Sequence, residues 1–166
     1  MSELNLDILK ELGSFTRQLR KDVSLIIKEG LDIIEIIDFV ESRIFENGYL
    51  PSFPAMVSVN DMAAHYTVFD EGYKLKSGDV IKVDFGASKD GYMTDNAFTV
   101  EITTSKHTAL IETAKACLDA AMEVVSYGSS MAEVGDVVAK VADKNGFNTI
   151  HNLSGHQIGR YNLHCG

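Results

Sequence analysis

The sequence is short of basic residues, and this shortage limits the partners that the protein can bind. Its 166 residues include 15 Lys and Arg against 24 Asp and Glu, which gives a formal net charge of -9. An acidic protein without a stripe of Lys and Arg is repelled by nucleic-acid phosphates and by anionic lipids. We therefore expect neither a nucleic acid nor a membrane as a partner.

Long apolar runs and cysteine motifs are also missing. No stretch approaches the roughly 18 apolar residues that a membrane span needs, and no basic and then apolar leader begins the chain. The two cysteines, Cys117 and Cys165, have no metal-binding or disulfide spacing, which favours reduced thiols. We therefore expect a cytoplasmic protein, whose 45% hydrophobic residues suffice for one or two packed units.

Two pairs of helices are predicted from the spacing of apolar residues. The first pair covers Leu4 to Ile26 and Leu31 to Phe45, and the second covers Ser105 to Tyr127 and Met131 to Lys144. The sequence between the pairs is rich in β-forming residues and predicts a strand at Ala55 to Val59, followed by two longer strands. The chain therefore combines helical and β-rich segments.

The two halves of the chain match at an offset of 98 residues. Two pairs of glycines have this separation: Gly30 with Gly128, and Gly48 with Gly146. Polar and apolar positions between these glycines also correspond, which favours an internal duplication. We therefore predict a first repeat at 1–104, with a helix pair and an acidic hairpin. The second repeat would start at 105–166, with a helix pair and a histidine-bearing strand, and would be incomplete.

The acidic hairpin has two carboxylates that the strand register brings together. Asp90-Gly91 predicts a two-residue turn, and a register with Lys89 opposite Tyr92 puts Asp84 and Asp95 diagonally on one face. Such a pair could converge on two cations, or both side chains could be solvated on an exposed face. Spacing alone favours the solvated face, although an aspartate in the middle of a strand is unusual.

Three histidines are candidates for chemistry, each with a structural alternative. His156 stands between Gly155 and Gly159, where the glycines permit close backbone approach. His65 and His164 could equally be hydrogen-bonded histidines of the core or its rim. The residues alone leave these alternatives open.

Five stretches together resemble the type II methionine aminopeptidases, particularly archaeal ones. They are SFP at 52–54, AAHYT at 63–67, KSGDVIKVDFG at 76–86, DNAFTV at 95–100 and LSGHQIGRYNLH at 153–164. The resemblance implies the α+β, duplicated pita-bread fold of creatinases and aminopeptidases, in which two related halves enclose a dinuclear metal site. The second repeat of that fold would be truncated in this chain.

The resemblance also implies a metal-ligand set. Asp84 would bind one metal, Asp95 would bridge both, and His156 would bind the other. The metals would be two divalent ions, with manganese, cobalt, iron(II) and zinc all compatible with oxygen-rich ligands and one imidazole. No residues for a further cofactor are identified.

Substrate contacts follow from the same resemblance. His65 would orient or protonate the scissile bond, and His164 would contact the substrate carbonyl or the oxyanion that develops from it. Phe53 and Leu163 would line the pocket for the methionine side chain. Cys165 stands where the family usually has alanine, which would make the site sensitive to oxidation.

The implied activity is removal of the N-terminal methionine from nascent proteins. Two glutamate ligands of the family and its helical insertion would follow Gly166. The chain alone is therefore expected to be inactive until a carboxy-terminal half is supplied as a partner. Two alternatives stay open: a non-catalytic binding module of the same fold, and a relative of the proline dipeptidases.

Overall fold

A computed structural model describes residues 4–68 and 72–165. The chain forms two compact units. We call residues 1–105 with 157–166 the sheet unit, and residues 106–156 the helical unit. The predicted division into repeats at 104 and 105 stays a prediction, and the expectation for the sequence beyond Gly166 lies outside the described residues.

Two helices of the sheet unit pack one apolar face each into the core. Helix α1 spans Leu6–Ile26 and begins at Asn5, whose side chain accepts hydrogen bonds from two backbone amides of the first turn. Helix α2 spans Ile33–Glu46 and begins with a capping box formed by Asp32 and Glu35. Their buried residues recur every three or four positions: Leu12, Thr16, Leu19 and Val23 on α1, and Ile33, Ile36, Val40 and Ile44 on α2.

Six short strands complete the first part of the sheet unit. They are β1 (Leu50–Pro51), β2 (Met56–Val59), β3 (Val80–Phe85), β4 (Ala87–Lys89), β5 (Tyr92–Met93) and β6 (Asn96–Glu101). Antiparallel pairing joins them in the orders β2-β3-β6 and β1-β4-β5. Strand β3 alternates between half-buried and buried residues, and Ile81, Val83 and Phe85 enter the same core as the helices.

A buried carboxylate fixes the turn that precedes β3. Asp79 is 6% exposed and accepts hydrogen bonds from the Lys76 amide (2.8 Å), Asn60 Nδ2 (3.0 Å) and the Tyr73 hydroxyl (3.0 Å). The Val80 amide donates to Asn60 Oδ1 at 2.9 Å. These bonds satisfy the carboxylate inside the protein and tie the end of β2 to the start of β3.

The sheet unit ends with a second hairpin. Strand β7 (Gln157–Gly159) pairs with β8 (Asn162–Cys165), and a shift in the register separates Gln157 from Gly159. The hairpin carries Leu163 and His164 on β8. It follows the helical unit in sequence but belongs to the sheet unit in space.

The second helix of the helical unit repeats the local design of α2. Helix α3 spans Thr108–Val124 and α4 spans Met131–Lys144, so α4 matches α2 residue for residue at the 98-residue offset. A capping box of Ser130 and Glu133 starts α4, as Asp32 and Glu35 start α2. No helix in the described part of the chain is both long and apolar enough to cross a membrane.

The ends of α2 and α4 also correspond. Gly48 has φ +77 and donates its amide to Phe45, and Gly146 has φ +78 and donates to Asp143. A left-handed glycine of this kind ends a helix because it lets the next amides bond back to the last turn. The predicted helix pairs are therefore confirmed, and the glycines that end α2 and α4 lie at corresponding positions.

Candidate metal centre

Strand β3 positions Asp84 in the middle of the three-stranded sheet β2-β3-β6. Asp84 lies opposite Met56 on one side and opposite Ala97 on the other. The predicted register of the hairpin is therefore confirmed, including Lys89 opposite Tyr92. Asp84 is half-buried and points away from the side of β3 that enters the core.

The regular strand pairing of the hairpin is interrupted at Asp95, and this corrects the prediction that Asp95 lies in the middle of a strand. Pairing stops at Gly86 on one strand and at Thr94 and Asp95 on the other. A Cβ on Gly86 would lie 2.0 Å from the Thr94 carbonyl oxygen, so only glycine allows this approach. Thr94 stays bonded to Ala87, because its hydroxyl accepts the Ala87 amide at 3.0 Å and its own amide donates to the Ala87 carbonyl at 2.9 Å. Asp95 is exposed at this interruption.

Asp84 is electrostatically unusual. Burial, together with the neighbouring charge of Asp95, raises the pKa of Asp84 to about 6, and the charge of His65 partly opposes this rise. The Asp84 Oδ1 atom is buried and has no hydrogen-bond partner. A buried carboxylate oxygen without a donor is costly, and a cation in contact with it would remove that cost.

His65 lies near this carboxylate on the loop after β2. The Val57 amide donates to the Tyr66 carbonyl at 3.0 Å, which ties the loop back onto β2. His65 itself has φ +60, a left-handed conformation that is uncommon outside glycine and is concentrated at functional sites. Burial and Asp95 raise the pKa of Asp84 while His65 lowers it, so the imidazole is close enough to influence that group.

Ser52 belongs to the SFP stretch at 52–54, but the sequence assigned it no role. Its amide donates to the Gly86 carbonyl at 3.0 Å, and its Oγ is buried without a hydrogen-bond partner. This hydroxyl lies 2.9 Å from where a Cβ on Gly86 would be. The glycine directly after the VIKVDF strand was the available signal, because a strand glycine often marks a close backbone approach. Phe53, the next residue, is half-buried.

The other predicted residues lie on different elements. Leu163 is half-buried and His164 is exposed on β8 of the sheet unit, whereas His156 is half-buried at the end of the helical unit. Among residues 4–68 and 72–165, no three His, Cys, Asp or Glu side chains are grouped closely enough to hold a metal ion. Asp95 and His65 are each near enough to Asp84 to influence its pKa, and the predicted ligand set remains a prediction.

Comparison with protein families decides the assignment of the fold. Residues 7–166 match the family model of Metallopeptidase family M24. The chain belongs to this family. For this M24 chain, the predicted resemblance to archaeal methionine aminopeptidases is also confirmed by similarity to individual proteins of that name.

Three archaeal relatives illustrate the similarity. The M24 chain is 40% identical over 164 residues to a methionine aminopeptidase of Pyrococcus horikoshii, which covers 98% of the chain and 55% of the relative. It is 39% identical to that of Saccharolobus solfataricus over 168 residues, 100% of the chain and 55% of the relative. It is 35% identical to that of Methanocaldococcus jannaschii over 157 residues, which are 94% of the chain and 53% of the relative. The M24 chain therefore spans about half the length of these relatives.

Solved structures confirm the duplicated pita-bread fold of this M24 chain. A prolidase from Pyrococcus horikoshii has a TM-score of 0.84 at 21% identity, over 98% of this chain and 48% of that one. A methionine aminopeptidase from Rickettsia prowazekii has a TM-score of 0.81 at 21% identity, over 90% of this chain and 63% of that one. An X-Pro aminopeptidase from Thermotoga maritima has a TM-score of 0.81 at 21% identity, over 97% and 47%. The fold is thus shared by enzymes with different substrates.

Proposed function

We propose that this chain provides one half of a metal-dependent methionine aminopeptidase, which removes the N-terminal methionine from nascent polypeptides. One observation carries the proposal: Asp84 presents a buried oxygen without a partner beside the charge of Asp95. A carboxylate pair of this kind repels itself unless cations lie between its members. The names of the archaeal relatives support methionine as the residue released.

Asp84, Asp95 and His156 would hold two divalent cations, with manganese, cobalt, iron(II) and zinc as candidates. Bound metals of this class lower the pKa of water and stabilise negative charge that develops on a carbonyl oxygen. The burial of Asp84 supports this chemistry, because the attraction between a carboxylate and a cation is stronger where water is excluded.

The remaining predicted residues would act on the peptide. His65 would orient or protonate the scissile amide, and its place near Asp84 supports that role. His164 would donate a hydrogen bond to the substrate carbonyl as its oxygen gains charge. Phe53 and Leu163, both half-buried, would contact the methionine side chain.

We further propose that a carboxy-terminal half supplies the missing ligands and that the complex acts in the cytoplasm. Relatives about twice as long as this chain support the first point. The free thiols of Cys117 and Cys165 fit a reducing compartment, which supports the second.

Calorimetric titration with Mn²⁺ or Co²⁺ tests the metal site in the 166-residue chain. We expect weak, saturable binding, and we expect Asp84→Asn or Asp95→Asn to lower the affinity about ten-fold or more. Asp119→Asn, an exposed aspartate of α3, is the matched control and should leave the affinity unchanged. Equal binding by all variants, or no binding by any, would favour a non-catalytic module.

A complementation assay tests the activity. The chain is mixed with the carboxy-terminal half of the Pyrococcus horikoshii relative, and release of methionine from a Met-Ala-Ser peptide is measured with each metal. Parallel assays use a Gly-Pro dipeptide, so that cleavage of this substrate alone would instead indicate a proline dipeptidase. If the two halves associate and no metal supports either cleavage, the enzymatic proposal is wrong.

A further inference from the structure

The β7–β8 hairpin meets the acidic hairpin turn against turn. The Tyr161 amide donates to the Gly91 carbonyl at 2.8 Å, and Arg160 Nε donates to the Asp90 carbonyl at 2.9 Å. The tyrosine ring also covers Gly91, because a Cβ built there would lie 2.4 to 2.6 Å from ring atoms. In both hydrogen bonds the turn of the β7–β8 hairpin donates to a carbonyl of the acidic hairpin turn, which lies 70 positions earlier in the chain.

Arg160 adds cation–π contacts with two tyrosine rings to these hydrogen bonds. The Arg160 guanidinium lies 5.2 Å from the centroid of the Tyr92 ring and 5.5 Å from that of Tyr161. Tyr92 is 7% exposed, and its hydroxyl accepts the Asn5 amide at the start of α1, at 2.9 Å. The turn of the second hairpin is therefore linked through Tyr92 to the N-terminus of the first helix.

Tyr161 adopts a conformation that its surroundings must impose. Its φ is +58, in the left-handed region that a bulky side chain rarely occupies. The opposing turn has Asp90 at φ +53 and Gly91 at φ +81, the two positive angles of a type I′ turn. A strained residue persists where contacts over-determine it, and here the amide bond and the ring contact to Gly91 do so.

This contact bears on the proposed site because of what the two hairpins carry. One bears Asp84 and Asp95, and the other bears His164, three residues beyond Tyr161 on β8. Along the chain, β7 and β8 are joined to the rest of the sheet unit only through the helical unit. Direct contact between the two hairpins therefore contributes to the position of His164 within the sheet unit.

We infer that Arg160 and Tyr161 are positioning residues, which clamp the hairpin that bears His164 onto the turn of the hairpin that bears Asp84 and Asp95. The inference rests on the proposed function for the role of His164, whereas the clamp itself is a property of the two turns. Neither residue needs to touch the substrate, since their effect is to hold the histidine in register with the carboxylates.

Tyr161→Ala in the 166-residue chain tests the clamp. Amide hydrogen exchange at residues 157–165 should become about ten-fold faster or more, while exchange in β3 and β6 stays unchanged. Tyr161→Phe keeps the ring and should behave as the unaltered chain. Tyr127→Ala, which removes an exposed tyrosine of the helical unit, is the matched control. Should Tyr161→Ala unfold the sheet unit, Arg160→Lys is the second variant, because it keeps the charge and removes the planar group together with its Nε bond.

A paramagnetic measurement separates positioning from simple stabilisation. Mn²⁺ should broaden the amide signals of Asp84 and Asp95 and the imidazole signals of His164. In Tyr161→Ala the amides should stay broadened while the effect on His164 falls about three-fold or more, because paramagnetic relaxation declines steeply with distance.

Each outcome has one meaning. Unchanged exchange in both Tyr161→Ala and Arg160→Lys would overturn the clamp. Faster exchange with an unchanged effect of Mn²⁺ on His164 would overturn the positioning role. Absence of Mn²⁺ broadening in the unaltered chain would count against the proposed metal site, and the exchange experiment would still decide whether the clamp exists.

Discussion

The two helix pairs differ in the burial of their apolar faces, although their second helices, α2 and α4, share one local design. Leu12 of α1 and Ile33 of α2 are completely buried, whereas their counterparts at the 98-residue offset, Leu110 and Met131, are 44% and 46% exposed. The capping boxes and helix ends nevertheless coincide. Local signals thus define where a helix begins and ends, and the sheet that packs against it decides whether its apolar face is buried.

The difference bears on the stability of each pair. Helices α1 and α2 pack on the strands of the sheet unit, and each contributes four buried residues. In α3 and α4, by contrast, Thr113 and Ala142 are the buried residues that the described part of the chain contains. Since most helical stability in proteins comes from packing of an amphipathic face, the helical unit should open more readily.

The largest expected effect distinguishes the two pairs directly. Leu12→Ala should destabilise the sheet unit by about 3 kcal/mol, because it removes fully buried methyl groups and leaves a cavity. Leu110→Ala, the matched change on α3, should cost less than about 1 kcal/mol. Urea denaturation followed by residue-specific hydrogen exchange measures both values. If both substitutions lowered the free energy of unfolding equally, the exposure of Leu110 would not explain its contribution to stability.

A second prediction concerns the buried carboxylate of Asp79 in the sheet unit. Burial alone would raise the pKa of Asp79, but hydrogen bonds from Asn60, Lys76 and Tyr73 outweigh it and lower that pKa. Asp79→Asn should therefore destabilise the sheet unit by about 2 kcal/mol at neutral pH. Asp119→Asn on α3 should cost almost nothing.

The pH dependence of this effect has a definite sign. Because the pKa of Asp79 is lower in the folded protein, the folded state binds fewer protons than the unfolded state. The stabilisation is complete above the unfolded pKa of about 3.9 and is lost as the pH falls through the folded value. The unfolding free energies of the unaltered chain and of Asp79→Asn should therefore converge in acid, as unfolding curves measured at several pH values would show. A difference that persists at low pH would contradict this origin.

Asp84 gives the opposite prediction. Its pKa is raised to about 6, so the folded state without metal binds more protons than the unfolded state, and stability falls as the pH rises from about 4 through 6. Asp84→Asn should stabilise the metal-free chain by about 1 kcal/mol at pH 7.5, a value reduced for solvent screening of this half-buried group. Thermal denaturation with and without Mn²⁺ measures this effect, and added Mn²⁺ should reverse the order of the two proteins.

The smallest predicted effect should be the same in both helix pairs. Glu35→Ala and Glu133→Ala each remove the hydrogen bond that the glutamate side chain accepts from the N-cap amide. Each should cost about 0.5 to 1 kcal/mol of local helix stability, since the bond is local and partly exposed. Hydrogen exchange in the first turns of α2 and α4 provides the measurement. Unequal effects would show that packing alters even the capping contribution.

Much of the fold could be predicted because its signals are local. The helix bounds followed from apolar spacing and glycines, and the hairpin register followed from Asp90-Gly91, which fixes the pairing of Asp84 with Ala97. The interruption of the strand at Gly86 was missed because a regular alternation continues through it in the sequence. The unusual aspartate at 95 was the sign that the strand is interrupted there.

The site was harder to predict, because it depends on contacts between distant segments. The motif that contains His65 could be recognised, but its left-handed backbone and its influence on Asp84 depend on how the loop folds onto β2. The contact of Tyr161 with Gly91 joins residues with no shared pattern. The convergence of His156 with the carboxylates stays a prediction for the same reason.

The path of the chain has one more consequence, for how the protein opens. Residues 106–156 leave the sheet unit and return to it, so the helical unit is a loop of 51 residues with both ends anchored. The entropic free-energy cost of closing a flexible loop grows only slowly with its length, by about 0.6 kcal/mol for each doubling. The helices can therefore melt and re-form while the two hairpins remain joined at their turns.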